Sequence, residues 1–499
     1  MKLGELLRSL DHPEVGADLR SLRDTAAGLD ITGITYDSRR VETGSLFVAL
    51  KGQRADGLEF ADQAIGRGAA AVLAEAAPAK PTRVPWLIVK HGRLALALLA
   101  DTFYRHPSRE LVVVGITGTN GKTTTAYLVT ALFEAAGVTS GLLGTVTYRI
   151  GSDERDAART TPEAPDLQAM LREMVDRGCS ACSMEVSSHA LSLRRVDGTH
   201  FSAGVFTNLT REHLDYHGDM PAYFSAKRRL FEMLPSEAPA AINLDDPYGK
   251  ALCEAAARPV TYAINQAADV TPGPLSFSMD GLDFEARTPR GLLHVRSKLV
   301  GRPNVYNLLA AVTAGTALDL PFTAIEKGLT SVEGVPGRFQ LVSSEADDVV
   351  LIVDYAHTDD ALRNLLETTR PLAEGRVITV FGCGGERDRT KRPLMGAVAA
   401  RLSDLVIITS DNPRGEDPMT IIEEIKRGVS PSTTESLVLE DRGEAIEKAV
   451  ELARPADMIL LAGKGHEKYQ VIGDRALPFD EVAVARAALA RRRTKSHVG

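Results

Sequence analysis

The stretch "LVVVGITGTNGKTTTAYLVTALFEAAG" constrains the chain more than any other. Apolar residues from Leu111 to Ile116 lead through a glycine-rich turn into a helical pattern, and a strand handed over to a helix in this way belongs to a layered α/β unit. Further apolar runs, "ACSMEV", "AGVFTN" and "AAINLD", are separated by helical stretches. They predict a mostly parallel sheet with helices on both faces. From "GVPGRFQLV" onward, "VVLIVDYAH", "RVITVFGC", "LVIITSDN" and "MILLAGKGH" repeat the pattern, each ending in polar residues or a Gly-rich turn. Ligands of open α/β sheets gather at the carboxyl ends of strands, so these ends are candidate site walls.

The turn after Ile116 departs from the common phosphate-loop spacing, which places four residues between the first glycine and Gly-Lys-Ser/Thr. Here five separate Gly115 from Gly121, and two separate Gly118 from it. The chemistry is nonetheless complete. Small residues let backbone N–H groups reach phosphate oxygens at the positive end of the next helix. Lys122 can reach terminal phosphates, and Thr123 offers a hydroxyl to Mg²⁺. Gly118, Thr119, Asn120, Gly121, Lys122, Thr123 and Thr124 are therefore expected to bind a nucleotide, with an amphipathic helix behind them. An ordinary strand-to-helix turn does not require a lysine followed by three threonines.

A chain of 499 residues exceeds one ordinary core. Three domains are expected: a smaller N-terminal α/β domain over 1–107, a central P-loop domain over 108–335 and a Rossmann-like C-terminal domain over 336–499. The first boundary falls where Pro107 disfavours helix at His106. The net charge of -8 argues against nucleic acid as a partner. Acidic residues near the start and no apolar run of spanning length predict a cytoplasmic protein without membrane insertion. Cys179 and Cys182 form a lone C-x-x-C leading into an apolar run, and lack the further ligands a zinc site needs. Buried structural thiols are expected.

"GITGTNGKTTT" resembles the ATP loop of the Mur ligases, cytoplasmic amide-forming enzymes that build the peptide of bacterial cell-wall precursors; folylpolyglutamate synthetases share a similar loop. "DSRRVETGSLFVALKG", "TTPEA", "MEVSSHAL", "NLTREHLDYHG", "YFSAKRRLF", "GRPNVYNLLAA", "GVPGRFQ", "DYAHTDDAL", "FGCGGERDRTKRP", "SDNPRGEDP" and "GKGHEKYQ" resemble, in the same order, the motifs of the branch that adds the third residue. The resemblance covers nearly the whole chain. It implies a monomeric ATP-dependent ligase forming ADP and phosphate, with UDP-N-acetylmuramoyl-L-alanyl-D-glutamate and meso-2,6-diaminopimelate as its other substrates. In such enzymes the acid takes the γ-phosphoryl group as an acyl phosphate, and the amine then displaces phosphate.

The same resemblance implies a catalytic set of Lys122, Glu185, His213 and Lys227. Thr123 and Glu185 would hold one Mg²⁺, and His213 a second, near a Lys227 carbamylated by CO₂. That reaction needs a neutral amine, hence a locally lowered pKa. Glu185 could otherwise be a helix-capping or salt-bridged acid, but its place at a strand end after an apolar run favours the metal role. Without the family, His213 reads as structural and Lys227 to Arg229 as a solvated basic face, and His217 has no assignment. Asn304 and Asn307 fit adenine contacts, or caps for a following helix. Arg338, Asp354, Tyr355 and His357 fit the phosphate and ribose side, with Lys391 and Arg392 assisting, if the last domain closes about a hinge at Gly334 to Gly337. Ser38 matches a uridine-diphosphate contact, with Gln53, Arg54 and Ala55 beside it. Thr160, Thr161, Ser187 and Arg195 match muramoyl-peptide contacts, although Leu193 stands where relatives often carry glutamine.

"DNPR", Asp411, Asn412, Pro413 and Arg414, matches the form that selects diaminopimelate; lysine-adding relatives lack the arginine. Diaminopimelate ends in an ammonium and a carboxylate, lysine in an ammonium alone. Arg414 and Arg387 are expected to clamp carboxylates, and Asp411, Glu467 and the Gly463 carbonyl to receive the ammonium. Asp-Asn-Pro also suits a plain turn.

Overall fold

The computed structural model describes residues 1–16, 26–52, 55–430 and 433–496. Gln53 and Arg54 lie outside the described residues.

The central sheet has eight strands, in the order Arg258–Tyr262, Pro239–Asn243, Ala203–Phe206, Val112–Thr117, Ala181–Glu185, Ser140–Leu143, Thr147–Ile150 and Asp153–Asp156. The inner strands run parallel, and the last two add an antiparallel edge. Val112–Thr117 sits mid-sheet, with Ile116 opposite Glu185 on one side and Thr117 opposite Phe206 on the other. This register alone brings Glu185 and the segment after Phe206 beside the phosphate loop.

The helix Lys122–Ala135 is not the amphipathic helix expected. Thr123 to Ala126 and Leu128 to Phe133 are all buried, because the helix lies between the sheet and the helices Arg302–Ala317 and Phe322–Ser331. A helix covered on every side has no polar face to show. Gly328 permits that approach: a Cβ there would stand 2.8 Å from the Ala131 carbonyl oxygen.

One small antiparallel sheet, formed by Thr271–Pro272, Ser276–Ser278, Gly281–Thr288 and Gly291–Ser297, has no counterpart in the sequence reading. Its signal is the period-two burial of "GLDFEART", in which Leu282, Phe284, Ala286 and Thr288 face inward.

The C-terminal sheet runs Gln340–Leu341, Val350–Asp354, Met458–Ala462, Val377–Phe381, Leu405–Ile408 and Glu435–Val438, parallel except for its first strand. The four runs singled out in the sequence are its inner strands. Asp354, Ala462, Phe381 and Ile408 lie in register, so the polar segments after them converge on one edge. The N-terminal sheet is four parallel strands, Gly33–Thr35, Ser45–Ala49, Ala71–Ala74 and Trp86–Ile88. The α/β class and parallel-rich layout follow the expectation. All four cysteines are free, with Cys179, Cys182 and Cys383 buried. Among the described residues no helix is long and apolar enough to cross a membrane.

Candidate functional site

The loop's irregular spacing has a structural partner. Asn120 N–H donates to Asn208 Oδ1 at 2.9 Å, Thr207 Oγ1 donates to the Asn120 carbonyl at 2.6 Å, and Thr119 N–H donates to the Asn208 carbonyl at 2.8 Å. Thr207 and Asn208, at the end of the neighbouring strand, thus brace the loop, and sequence reasoning missed both. Gly121 has φ +86°, and a Cβ there would fall 2.3 Å from Asn307 Oδ1, so only glycine suits this turn.

Lys122 Nζ donates to the carbonyls of Gly118 and Thr119, at 2.9 and 2.8 Å. Lys227 Nζ donates to the same Gly118 carbonyl at 2.7 Å and lies 4.7 Å from the Tyr223 ring centroid. Burial pulls both amines below the ordinary lysine range, and the neighbouring Lys122 charge lowers Lys227 further. The "SAKRRLF" face is therefore split. Lys227 points inward, Arg228 pairs at the surface with Glu232, and Arg229 pairs with Asp197.

A cavity of about 270 Å³ lies over this loop, lined by Thr119 to Thr124, Thr145, Thr160, Glu185, Ser187, Glu212, His213, Asn304, Asn307, Arg338, Asp354, Tyr355 and His357. Lys227 stands just behind its wall. The third domain closes the cavity. Arg338 Nη2 donates to Thr123 Oγ1 at 3.2 Å while its guanidinium lies over the Tyr355 ring. Asn120 Nδ2 donates to Asp360 Oδ2 at 3.3 Å, and His357 Nε2 lies 3.0 Å from Glu212 Oε1. Burial works to raise the Glu212 carboxyl, yet the His357 hydrogen bond and the His213, His357 and Lys122 charges hold it well below the carboxylate range. Glu212 is a third residue the sequence reading missed. Its only signal was the acid beside His213 in "REHLDYH".

Glu185 accepts from Thr145 N–H at 2.8 Å and from Thr145 Oγ1 at 3.0 Å, which fixes its carboxylate at the cavity wall. Thr161 is buried and donates to the Glu185 carbonyl at 2.8 Å. Arg195 pairs with Glu163 at 2.8 Å and donates to the Thr161 carbonyl at 3.1 Å. Ser187 Oγ caps the short helix Ser188–Ser192. Asp354 is engaged on both oxygens, by Phe339 N–H at 2.6 Å and Ala356 N–H at 2.8 Å. Ser38 lies apart on the first domain, where it donates to Gln63 Oε1 at 2.8 Å and lines neither this cavity nor the next.

Two expectations are corrected. Asn304 and Asn307 do not cap a following helix: both lie inside Arg302–Ala317, whose N-cap is Gly301. Asn304 Nδ2 donates back to the Val300 carbonyl at 2.8 Å, and Asn307 Nδ2 to Asn304 Oδ1 at 2.9 Å. Arg392 does not assist at the phosphates. It is fully buried and spent on Glu416, Glu424 and the Gly384 carbonyl. Lys391 does reach the site region, donating to the His357 carbonyl at 2.6 Å.

A recess of about 670 Å³ opens on the far side of Asn120, Gly121 and Asn307, lined also by Asn208, Asn243, Tyr306 and Asn364. A third cavity, about 330 Å³, shares Glu212, His213, Tyr355 and His357 with the first and extends to Arg387, Lys391, Asp411, Asn412, Arg414, Gly463 and Glu467. Pro413 shapes the turn without lining it. Arg414 has φ +52°, and its Nη1 donates to the Gly385 carbonyl at 2.7 Å. Asp411 and Glu467 both contact Lys464, a buried lysine absent from the sequence reading.

Among the described residues no group of three or more His, Cys, Asp or Glu is arranged to hold a metal. Mg²⁺ keeps several waters and binds through one or two carboxylates plus phosphates, so Glu185 and Thr123 beside a phosphate loop fit a magnesium nucleotide rather than a closed metal cage.

Residues 30–104 match the model for the Mur ligase family, catalytic domain; 116–315 match the Mur ligase middle domain; 337–465 match the Mur ligase, glutamate ligase domain. The chain is 46% identical over 492 residues to a UDP-N-acetylmuramoyl-L-alanyl-D-glutamate--2,6-diaminopimelate ligase of Solibacter usitatus (strain Ellin6076), covering 98% of each chain. It is 47% identical over 510 residues to the like-named protein of Geobacter metallireducens (strain ATCC 53774 / DSM 7210 / GS-15), covering 97% of this chain and 98% of that one. A solved structure of a ligase of that name is 33% identical, with a TM-score of 0.69 over 99% of both chains.

Proposed function

The chain belongs to the Mur ligase family, and from that premise we propose that it joins meso-2,6-diaminopimelate to the D-glutamate of UDP-N-acetylmuramoyl-L-alanyl-D-glutamate using ATP. The observation that carries this reading is the junction of two cavities at Glu212, His213, Tyr355 and His357. One is walled by a phosphate loop and lysines, as a nucleotide requires. The other is walled by paired arginines and carboxylates, as a zwitterionic amino acid requires.

Lys122, with Arg338 opposite it, offsets phosphate charge as the γ-phosphoryl group passes to the D-glutamyl carboxylate. The acid lies toward Thr160, Ser187 and Arg195, close to Glu185. The uridine diphosphate reaches Ser38 on the first domain, which ends near residue 107; the central domain ends near 335. Asn304 and Asn307 face the nucleoside, and the asparagine-lined recess beside Asn307 has room for a base. Arg387 and Arg414 hold carboxylates of diaminopimelate; Asp411, Glu467 and the Gly463 carbonyl hold its ammonium. The α-amine is thereby directed toward His357, where the acyl phosphate forms. Thr123 and Glu185 would hold one Mg²⁺ and His213 a second, near a carbamate on Lys227; these groups supply the charge that lets two anions approach. Lys227 suits that modification because it is buried with a depressed amine, and Lys122 on the same carbonyl is the cation a carbamate would meet. A single chain working in the cytoplasm completes the proposal.

The test is phosphate release from ATP with the UDP-dipeptide acid, comparing meso-diaminopimelate, L-lysine and L-ornithine. Release with diaminopimelate well above the others is expected. Preference for lysine would overturn the amino-acid assignment, and release with none of the three would overturn the ligase reading.

A further inference from the structure

Lys464 is completely buried in the third domain, directly behind the cavity wall formed by Asp411, Asn412 and Glu467. Its Nζ reaches Asp411 Oδ1 at 3.3 Å, Asn412 Oδ1 at 3.0 Å and Glu467 Oε2 at 3.4 Å. Asn412 completes the frame. Its Nδ2 donates to Glu467 Oε2 at 2.9 Å, and its Oδ1 also accepts from Val471 N–H at 2.9 Å. One ammonium therefore orients every side chain offered to the ammonium of the incoming amino acid, without lining the cavity itself.

We propose that Lys464 is a positioning residue for the amino-acid substrate, holding Asp411 and Glu467 apart and aimed, and setting the charge that the substrate ammonium meets. The inference rests on the ligase reading above. Two carboxylates and one ammonium leave a single net negative charge, which one substrate ammonium balances. Without Lys464 the two carboxylates would face each other in a site where neither is well solvated, and one would be driven to take a proton or turn away. The state of Asp411 supports this. Burial works to raise its carboxyl, but Lys464 first, then Arg442, hold it below the ordinary range.

The experiment uses the full-length enzyme with ATP, the UDP-dipeptide acid and meso-diaminopimelate. Turnover of diaminopimelate by the unmodified enzyme is established first, since its absence defeats the ligase reading rather than this one. Lys464→Ala is expected to raise the diaminopimelate KM about 10- to 100-fold, the weight of lost hydrogen bonds to charged groups, while the ATP KM stays within about twofold. n-Propylammonium, which replaces the deleted atoms, should restore much of the loss, and propan-1-ol should not. Lys464→Met fills the volume without the charge; it carries the test if the alanine variant does not fold, with the same KM rise and no rescue. An unchanged diaminopimelate KM in either folded variant, an equal rise in the ATP KM, or equal rescue by the alcohol would overturn the proposal.

Discussion

At the nucleotide-side cavity Lys122 rests on the neutral carbonyls of Gly118 and Thr119, and Lys227, behind the wall, on that of Gly118, whereas behind the amino-acid-side cavity Lys464 rests on two carboxylates and an amide. Among the described residues neither amine of the first arrangement contacts a counter-ion, and burial depresses both. Such a site is completed by a polyanion from outside. The second arrangement is nearly balanced before any ligand arrives, as a partner with both a positive and a negative end demands. Charge compensation thus distinguishes the two cavities even though they share a wall.

The largest effect expected from breaking that contrast is at Lys227. Lys227→Ala should lower kcat by about 10²- to 10³-fold, the scale of losing one electrostatic contact to a transferring group. A short carboxylic acid such as acetate should restore part of the loss by standing in for the carbamate. Loss without rescue would show that Lys227 serves as a cation, and retained activity would remove it from the site altogether.

A smaller effect is expected across the shared wall. Arg414→Ala removes the partner of a substrate carboxylate, worth at least about 2 kcal/mol, so the diaminopimelate KM should rise about 30-fold or more. The ATP KM should stay within about twofold, because Arg414 lines only the amino-acid cavity. Steady-state kinetics in both substrates decide it. Equal rises would mean that the two cavities are not separable as described.

How far each cavity was legible follows from how it is built. The phosphate-binding part of the nucleotide side comes from one contiguous loop, so "GTNGKTTT" carried that part, and the four apolar runs with polar ends gave away the C-terminal sheet edge. What escaped depends on register or burial. Thr207 and Asn208 brace the loop only because Phe206 pairs with Thr117. Glu212 acquires its partner from the far domain at His357. Lys464 looks like an ordinary surface cation in sequence and Arg392 like a helper on the phosphate side, and only the fold shows each fully buried among acids. The helix after the loop departs from the expected amphipathic pattern for a related reason, since its threonines Thr123, Thr124, Thr125 and Thr130 are covered by the fold.

The smallest effect sharpens the contrast from the third domain's side of the nucleotide cavity. His466 packs on Tyr355, and among the described residues its buried Nδ1 has no hydrogen-bond partner. Burial, with the positive Arg338 and His357 nearby, lowers its pKa to about 4. An unfolded histidine titrates near 6.5. Between these values the unfolded chain binds the proton first, so folded-state stability is intact above about pH 6.5 and is lost as pH falls through about 4. His466→Gln removes one such group, and the melting temperature should then fall less between pH 7 and pH 5, by roughly 1 to 2 °C for a chain of this size. His189 and His217, each lowered to about 4 by burial, remain in the variant and keep most of the acid sensitivity. An unchanged acid limb would mean that the wall around Arg338 tolerates another positive charge, and the contrast between a cation-rich and a balanced cavity would then stop at the lysines of the loop.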